Sequence, residues 1–137
     1  MTIQPEQVLS FIELDQIASL YGTLIDHQDW GRLGEVLSDD IVFDLTGIGR
    51  GVLEGLPEVQ RYMEQDAIHP AAHLVANVVV QELDDNSGRM SCRLLAVQGD
   101  GSVVAGEYQD EVRRTAAGWR FSRRAFTYTR RSRTGAN

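Results

Sequence analysis

The chain contains no lysine: all 13 of its basic residues are arginine. With no side-chain primary amine, Schiff-base chemistry is excluded, and so is a P-loop, which needs a lysine for its phosphates. Cysteine is almost as scarce. Cys92 stands alone, which rules out an internal disulfide and a multi-cysteine metal site. No apolar run approaches the roughly 20 residues of a membrane span. Met1 to Gln7 lacks the basic start and apolar core of a signal peptide, so the expected compartment is the cytoplasm. Positive charge is in deficit, with a net charge of −7. Phosphate binding wants the opposite sign, and nucleic acid is not expected as a partner.

What is present fits a single domain. The 137 residues, 42% hydrophobic and 24% charged, are enough for a core of ordinary size. The expected domain spans 1–137, with a core over about 6–129 and a basic tail at 130–137. Charge is uneven: acids dominate the first two thirds, while Arg113, Arg114, Arg120, Arg123, Arg124, Arg130, Arg131 and Arg133 crowd the end. A basic last hairpin and a solvated tail account for that crowding.

Apolar spacing predicts a helix over 6–28, with Ile17, Leu20, Tyr21 and Leu24 as its packing stripe. A short second helix is expected over 29–37, capped by Asp29. Ser38-Asp39-Asp40 reads as a turn and 41–45 as a strand. The glycine-rich stretch from Gly47 to Gly55 predicts a short strand or hairpin. Its spacing lacks the last glycine of a dinucleotide fingerprint. Pro57 opens a third helix to Asp66. Four extended segments follow, at about 72–83, 89–98, 103–114 and 118–129, joined by short turns. Helices first and strands last predict an α+β domain, with helices over one face of a curved sheet and a pocket between them. The second sheet face then needs covering, and a homodimer is the natural expectation.

The stretch from Ala71 to Val80 carries the main chemical signal. Strict alternation puts His73, Val75, Asn77 and Val79 on one face, with Leu74, Ala76, Val78 and Val80 on the other. A covered histidine and amide need partners. A structural role satisfies them, and so does catalysis, in which a carboxylate orients the imidazole as general base. Three carboxylates are open. Asp26 lies near the end of the first helix, off its stripe and nearer Gly22, and would need that helix end covered on a second side. Asp44 shares a strand face with Val42, and Asp110 with Tyr108 and Val112. Tyr21 could polarise a carbonyl. One of Arg123 and Arg124 must face inward, to neutralise a carboxylate or bind an anion. His69 and His73 do not share a helical face across Pro70, so no metal is expected.

Several short motifs, taken in order, carry a resemblance over roughly residues 10–128. They are Leu20-Tyr21, Ile25-Asp26-His27-Gln28-Asp29-Trp30, Leu37-Ser38-Asp39-Asp40 and Gly47-Ile48-Gly49. His73-Leu74-Val75-Ala76-Asn77, Gly106-Glu107-Tyr108-Gln109-Asp110-Glu111 and Gly118-Trp119-Arg120-Phe121-Ser122-Arg123-Arg124 complete the series. Together they resemble the SnoaL-like branch of the nuclear transport factor 2-like superfamily, which is similar to scytalone dehydratase, lindane dehydrochlorinase and the ketosteroid isomerases. The resemblance implies a cone-shaped α+β barrel with a mixed or antiparallel sheet and three helices in the N-terminal half, dimeric and without cofactor. It implies a histidine–aspartate dyad at His73 and Asp26, a pocket arginine at Arg124 and an oxyanion-binding tyrosine near Tyr21. The isomerase base falls near Asp44.

The expected activity is therefore a cofactor-independent, dehydratase-like lyase or isomerase. It would act on a small hydrophobic, cyclic or polyketide-like molecule through His73 and Asp26, with Tyr21, Asn77, Arg124 and Asp44 around the substrate. Two alternatives stand beside it. One is a non-catalytic hydrophobic-ligand-binding or dimerisation module. The other is a polyketide cyclase or hydrolase using Asp44 or Asp110.

Overall fold

The first helix supplies one wall of the molecule. In the computed structural model, which describes residues 2–129, a 3-10 turn at Pro5–Gln7 leads into α1, Val8–Asp26. The basic tail expected at 130–137 lies outside the described residues. Leu14, Ile17, Ala18, Tyr21, Leu24 and Ile25 are buried along α1, the spacing of one helical face turned toward a sheet. By length and composition alone, Pro5–Asp26 would suffice to cross a membrane, contrary to the expectation that no such run exists. Its buried stripe shows it packing here as a core helix.

The chain leaves α1 through Gln28, in the left-handed region at φ 55°. It enters a 3-10 turn at Trp30–Glu35, where a short helix over 29–37 was expected. Gly31 and Gly34 weaken helical continuation there. Asp29 makes no side-chain cap; its carboxylate pairs with Arg32 at 3.3 Å. Strand β1 then runs over Leu37–Asp44. It starts earlier than expected, because Ser38-Asp39-Asp40 continues the strand and is not a turn. Ser38 is buried, and its hydroxyl donates to Asp40 at 2.9 Å.

The glycine-rich stretch forms a 3-10 turn at Thr46–Ile48 and the short strand β2, Val52–Glu54, antiparallel to β1. Helix α2, Leu56–Arg61, has Pro57 in its first turn and passes into a π-helical turn at Tyr62–Asp66. Strands β3 (Ala72–Leu83), β4 (Ser87–Val97), β5 (Val103–Thr115) and β6 (Gly118–Tyr128) follow. They form the antiparallel meander that the three short turns predict. Strand β1 lies parallel to β6. The result is an α+β architecture: one curved, mixed six-stranded sheet in the order β2-β1-β6-β5-β4-β3, with the helices toward one face.

Strand β3 departs from strict alternation. Asn77 has φ 52°, and the pairing with β4 slips between Ala76 and Val79. This is a β-bulge, in which one extra residue reverses the facing of the residues that follow, here as far as a second slip between Val80 and Glu82. His73 and Val75 therefore face inward, followed by Val78 and the buried Val80. Leu74 and Val79 lie on the open side, 57% and 53% exposed. The expected outer set of Leu74, Ala76, Val78 and Val80 is thus corrected at its second half, and Asn77 is exposed and does not face the pocket.

Candidate functional site

Ala18, Gly22 and Asp26 follow one another at intervals of four, so they form one row along α1. That row lies against β3. A Cβ placed on Gly22 would stand 3.2 Å from Val75 Cγ2 and 3.5 Å from His73 Cβ, so glycine is what lets the helix approach this closely. One turn further on, the same row delivers Asp26 to His73. This is the second covered side of the helix end that Asp26 required. The His73 backbone N–H donates to both carboxylate oxygens of Asp26, at 3.0 and 2.9 Å. The imidazole Nδ1 meets Asp26 Oδ1 at 2.6 Å.

A carboxylate at Nδ1 fixes the ring tautomer. In the neutral ring the proton then sits on Nδ1, and Nε2 keeps its lone pair. Among the described residues Nε2 has no hydrogen-bond partner, and His73 lines a cavity of about 160 Å³. Inward side chains of the sheet, among them Phe43, Leu94, Val104 and Phe126, make most of its wall apolar, with Met63 closing it from the π-helical turn. Tyr21 and Tyr108 add two hydroxyls. Their rings meet edge to face with centroids 5.8 Å apart. Burial pushes the Tyr21 hydroxyl up to about 12, with the Arg124 guanidinium pulling the other way. Tyr21 is consequently a protonated donor at neutral pH, the form needed to meet a developing oxyanion.

Arg124 does not line this cavity. It is fully buried, and its Nε and Nη2 grip the carboxylate of the equally buried Asp110 at 2.8 and 3.0 Å. Its guanidinium carbon lies 3.8 Å from the Tyr108 ring centroid, 4.0 Å from Phe121 and 4.4 Å from Tyr21. Nη1 has no hydrogen-bond partner among the described residues, and the surrounding ring faces offset part of that cost. Of the two options for an inward arginine, the structure shows carboxylate neutralisation. Cys92 Sγ is 3.5 Å from Arg124 Nη2, and burial pushes its thiol up to about 11, away from nucleophilic use.

Asp44 is also placed elsewhere. Its carboxylate accepts from the Thr46 backbone N–H at 2.9 Å and hydroxyl at 2.6 Å, and pairs with Arg123 at 2.7 Å. The Thr46 hydroxyl and amide hold it below the usual carboxylate range. Thus Asp26 meets His73 from behind, and His73 and Tyr21 line one cavity, while Asp26, Arg124, Asp44 and Asn77 are not part of its wall.

Tyr108, His69 and Arg50 are among the wall residues not picked out as substrate contacts from the sequence. Tyr108 was visible only as a neighbour of Asp110, although strand alternation puts it on the inner face. His69 was weighed for metal alone; its Nε2 is 2.6 Å from the Met63 carbonyl, and its ring packs 5.0 Å from Trp30. Arg50 sat inside a glycine run and gave no periodic signal. Among the described residues, no three His, Cys, Asp or Glu side chains converge as metal ligands would.

Comparison with solved structures places the fold. A Novosphingobium aromaticivorans protein provisionally assigned as an aromatic ring hydroxylase is 26% identical, with a TM-score of 0.73, over 99% of this chain and 100% of that one. A protein of the same organism provisionally assigned as a scytalone dehydratase is 14% identical, with a TM-score of 0.77, over 90% and 87%. A hexachlorocyclohexane dehydrochlorinase is 18% identical, with a TM-score of 0.72, over 90% and 88%. Related structures of the same architecture are nuclear transport factor 2-like with a cystatin-like fold. No curated protein sequence matches the chain. The model of the SnoaL-like domain matches residues 7–125, nearly the whole described chain. The chain belongs to the SnoaL-like domain family.

Proposed function

We propose that this protein is a cofactor-independent, dehydratase-like lyase or isomerase, with His73 as general base and Asp26 as the group that orients it. The observation that carries this reading is the 2.6 Å contact between Asp26 Oδ1 and Nδ1 of His73, which lines a cavity of mixed apolar and tyrosine-rich wall. His73 Nε2 takes a proton from a carbon of the bound molecule. Asp26 stabilises the imidazolium that forms, since the charge develops beside its carboxylate. Tyr21, with Tyr108 against it, meets the negative charge or the departing group by donating a hydrogen bond. Enzymes that share this fold include a dehydrochlorinase. The test is a substrate screen followed by His73→Ala and Asp26→Asn; unchanged turnover in both variants on a confirmed substrate would sink the reading.

A non-catalytic ligand-binding module is the second reading, favoured by the apolar lining. It expects binding that survives His73→Ala, with no turnover in the native protein. A cyclase or hydrolase mechanism through Asp44 or Asp110 draws no support. The first is fixed at a turn outside the cavity wall, and the second is paired in the core.

The same proposal includes a homodimer through the open face of the sheet. Leu74, Leu95 and Ala105 stand opposite one another across β3, β4 and β5, and Leu74, Leu95 and Val103 are 57%, 42% and 47% exposed. Apolar side chains in adjoining rows of one sheet are the sort of surface that a second copy covers.

A further inference from the structure

Arg50 is the one arginine in the cavity wall as described, and no aspartate or glutamate shares that wall. Six of the ten arginines among the described residues are neutralised. Arg32, Arg89, Arg93, Arg113, Arg123 and Arg124 each pair with a carboxylate. Among the described residues Arg50 has none. Its Nη1 donates to the Tyr62 hydroxyl at 2.7 Å, and its guanidinium lies 6.0 Å from the Tyr62 ring centroid. A guanidinium has five N–H donors, so most of them are left for another acceptor.

Main-chain hydrogen bonds fix the loop that carries this side chain. The Arg50 N–H donates to the Leu45 carbonyl, and the Leu45 N–H to that of Gly51, both at 3.0 Å. Gly49, at φ 77°, makes the left-handed turn that closes the loop. Arg50 is exposed yet lines the cavity, so it stands at the rim with its charge available to whatever enters. The cavity itself is small. Its 160 Å³ is close to the roughly 150 Å³ that accepts a benzene-sized ring.

We infer that Arg50 is a specificity-determining residue that selects a single-ring molecule bearing a carboxylate: the ring fills the apolar cavity and the anionic group reaches the rim. This deepens the lyase or isomerase reading and rests on it for the chemistry at His73. The carboxylate is an anchor and not the reacting group. Guanidinium and carboxylate match as two parallel charge-assisted hydrogen bonds, and an uncharged ring of the same size gains neither.

The test compares benzoate with benzamide, alike in shape and different in charge at pH 7, by titration calorimetry. The wild type, Arg50→Gln, Arg50→Lys and His73→Ala are each titrated, with circular dichroism to confirm folding. Wild type should bind benzoate more tightly than benzamide. Arg50→Gln should lower benzoate affinity about 10- to 100-fold and leave benzamide affinity unchanged. Arg50→Lys should keep part of the preference, and His73→Ala all of it. Equal affinity for the two compounds in wild type, no binding of either, or a preference that survives Arg50→Gln would each overturn the assignment. A preference that disappears in His73→Ala would overturn it too, by placing the anion at the dyad. These outcomes are independent of turnover. Loss of the anion preference leaves a His73-dependent rate standing, and a failed dyad leaves the Arg50 preference to be read by itself.

Discussion

Asp26 holds both the side chain and the main chain of His73, so it acts as orienting group and as fastener of helix to strand. His73→Ala should lower the rate on a confirmed substrate by about 100- to 10,000-fold while the fold stays intact, since the residue's backbone contact to Asp26 remains. Asp26→Asn should lower both rate and stability, which paired kinetics and thermal unfolding would separate. Arg124 behaves differently. Arg124→Ala leaves a fully buried carboxylate unpaired and should cost about 3–5 kcal/mol in urea unfolding. Replacing Arg124 and Asp110 together with methionine and leucine should restore most of that loss. Among exposed groups, the Arg113 hydrogen bond is the first cause that pulls the Asp40 carboxyl down to about 2. A depressed folded-state value means that the stabilisation is present above an unfolded value of about 4 and is lost as the pH falls through 2. Asp40→Asn should therefore flatten the acid limb of the stability profile, modestly because the pair is exposed. Residue chemistry was partly legible in the sequence. The histidine announced itself by interrupting an apolar strand, and alternation required one inward arginine. Whether that arginine would meet a ligand or a carboxylate depended on Asp110 lying opposite it in β5, a pairing that only the register reveals.

At the scale of the element, the decisive object is the row Ala18–Gly22–Asp26 on α1. Small side chains along a helix allow close approach to a strand, and a residue one turn beyond inherits that proximity. Gly22→Leu should push α1 away from β3, lengthen the Asp26–His73 contact and reduce turnover more than it reduces overall stability. A crystal structure of that variant, or the imidazole proton signal in NMR, would show the separation. Periodicity placed Asp26 beside Gly22 correctly but treated the apolar stripe as the helix's whole buried surface. The helix packs on two sides, so the stripe was too narrow a criterion. In β3 the element's limits, 72–83, were readable from composition, whereas its facing was not. A single left-handed residue, Asn77, reverses which side chains point inward, and strict alternation cannot anticipate that. Ser38-Asp39-Asp40 misled for a related reason: polar residues with partners of their own can extend a strand as well as end it.

For the whole molecule, the open sheet face is the feature that distinguishes a lone chain from the proposed pair. Leu74→Glu should shift the species seen by analytical ultracentrifugation from dimer to monomer, with the cavity and its ligand binding intact; an unchanged dimer would move the interface elsewhere. The α+β order was legible because its helices and strands are segregated along the sequence and its last three connections are short. The strand order was not, since the β1–β6 pairing spans the chain. That parallel pairing also bears on how the molecule comes into being. Until residues 118–128 have been synthesised, β1 with β2 and the β3–β5 meander are separate pieces, each with an unpaired edge facing the gap that β6 will fill. Non-local pairing of this sort is slow to form, so the nascent chain carries exposed edges until β6 has left the ribosome, and a chain interrupted before β6 would be the aggregation-prone species.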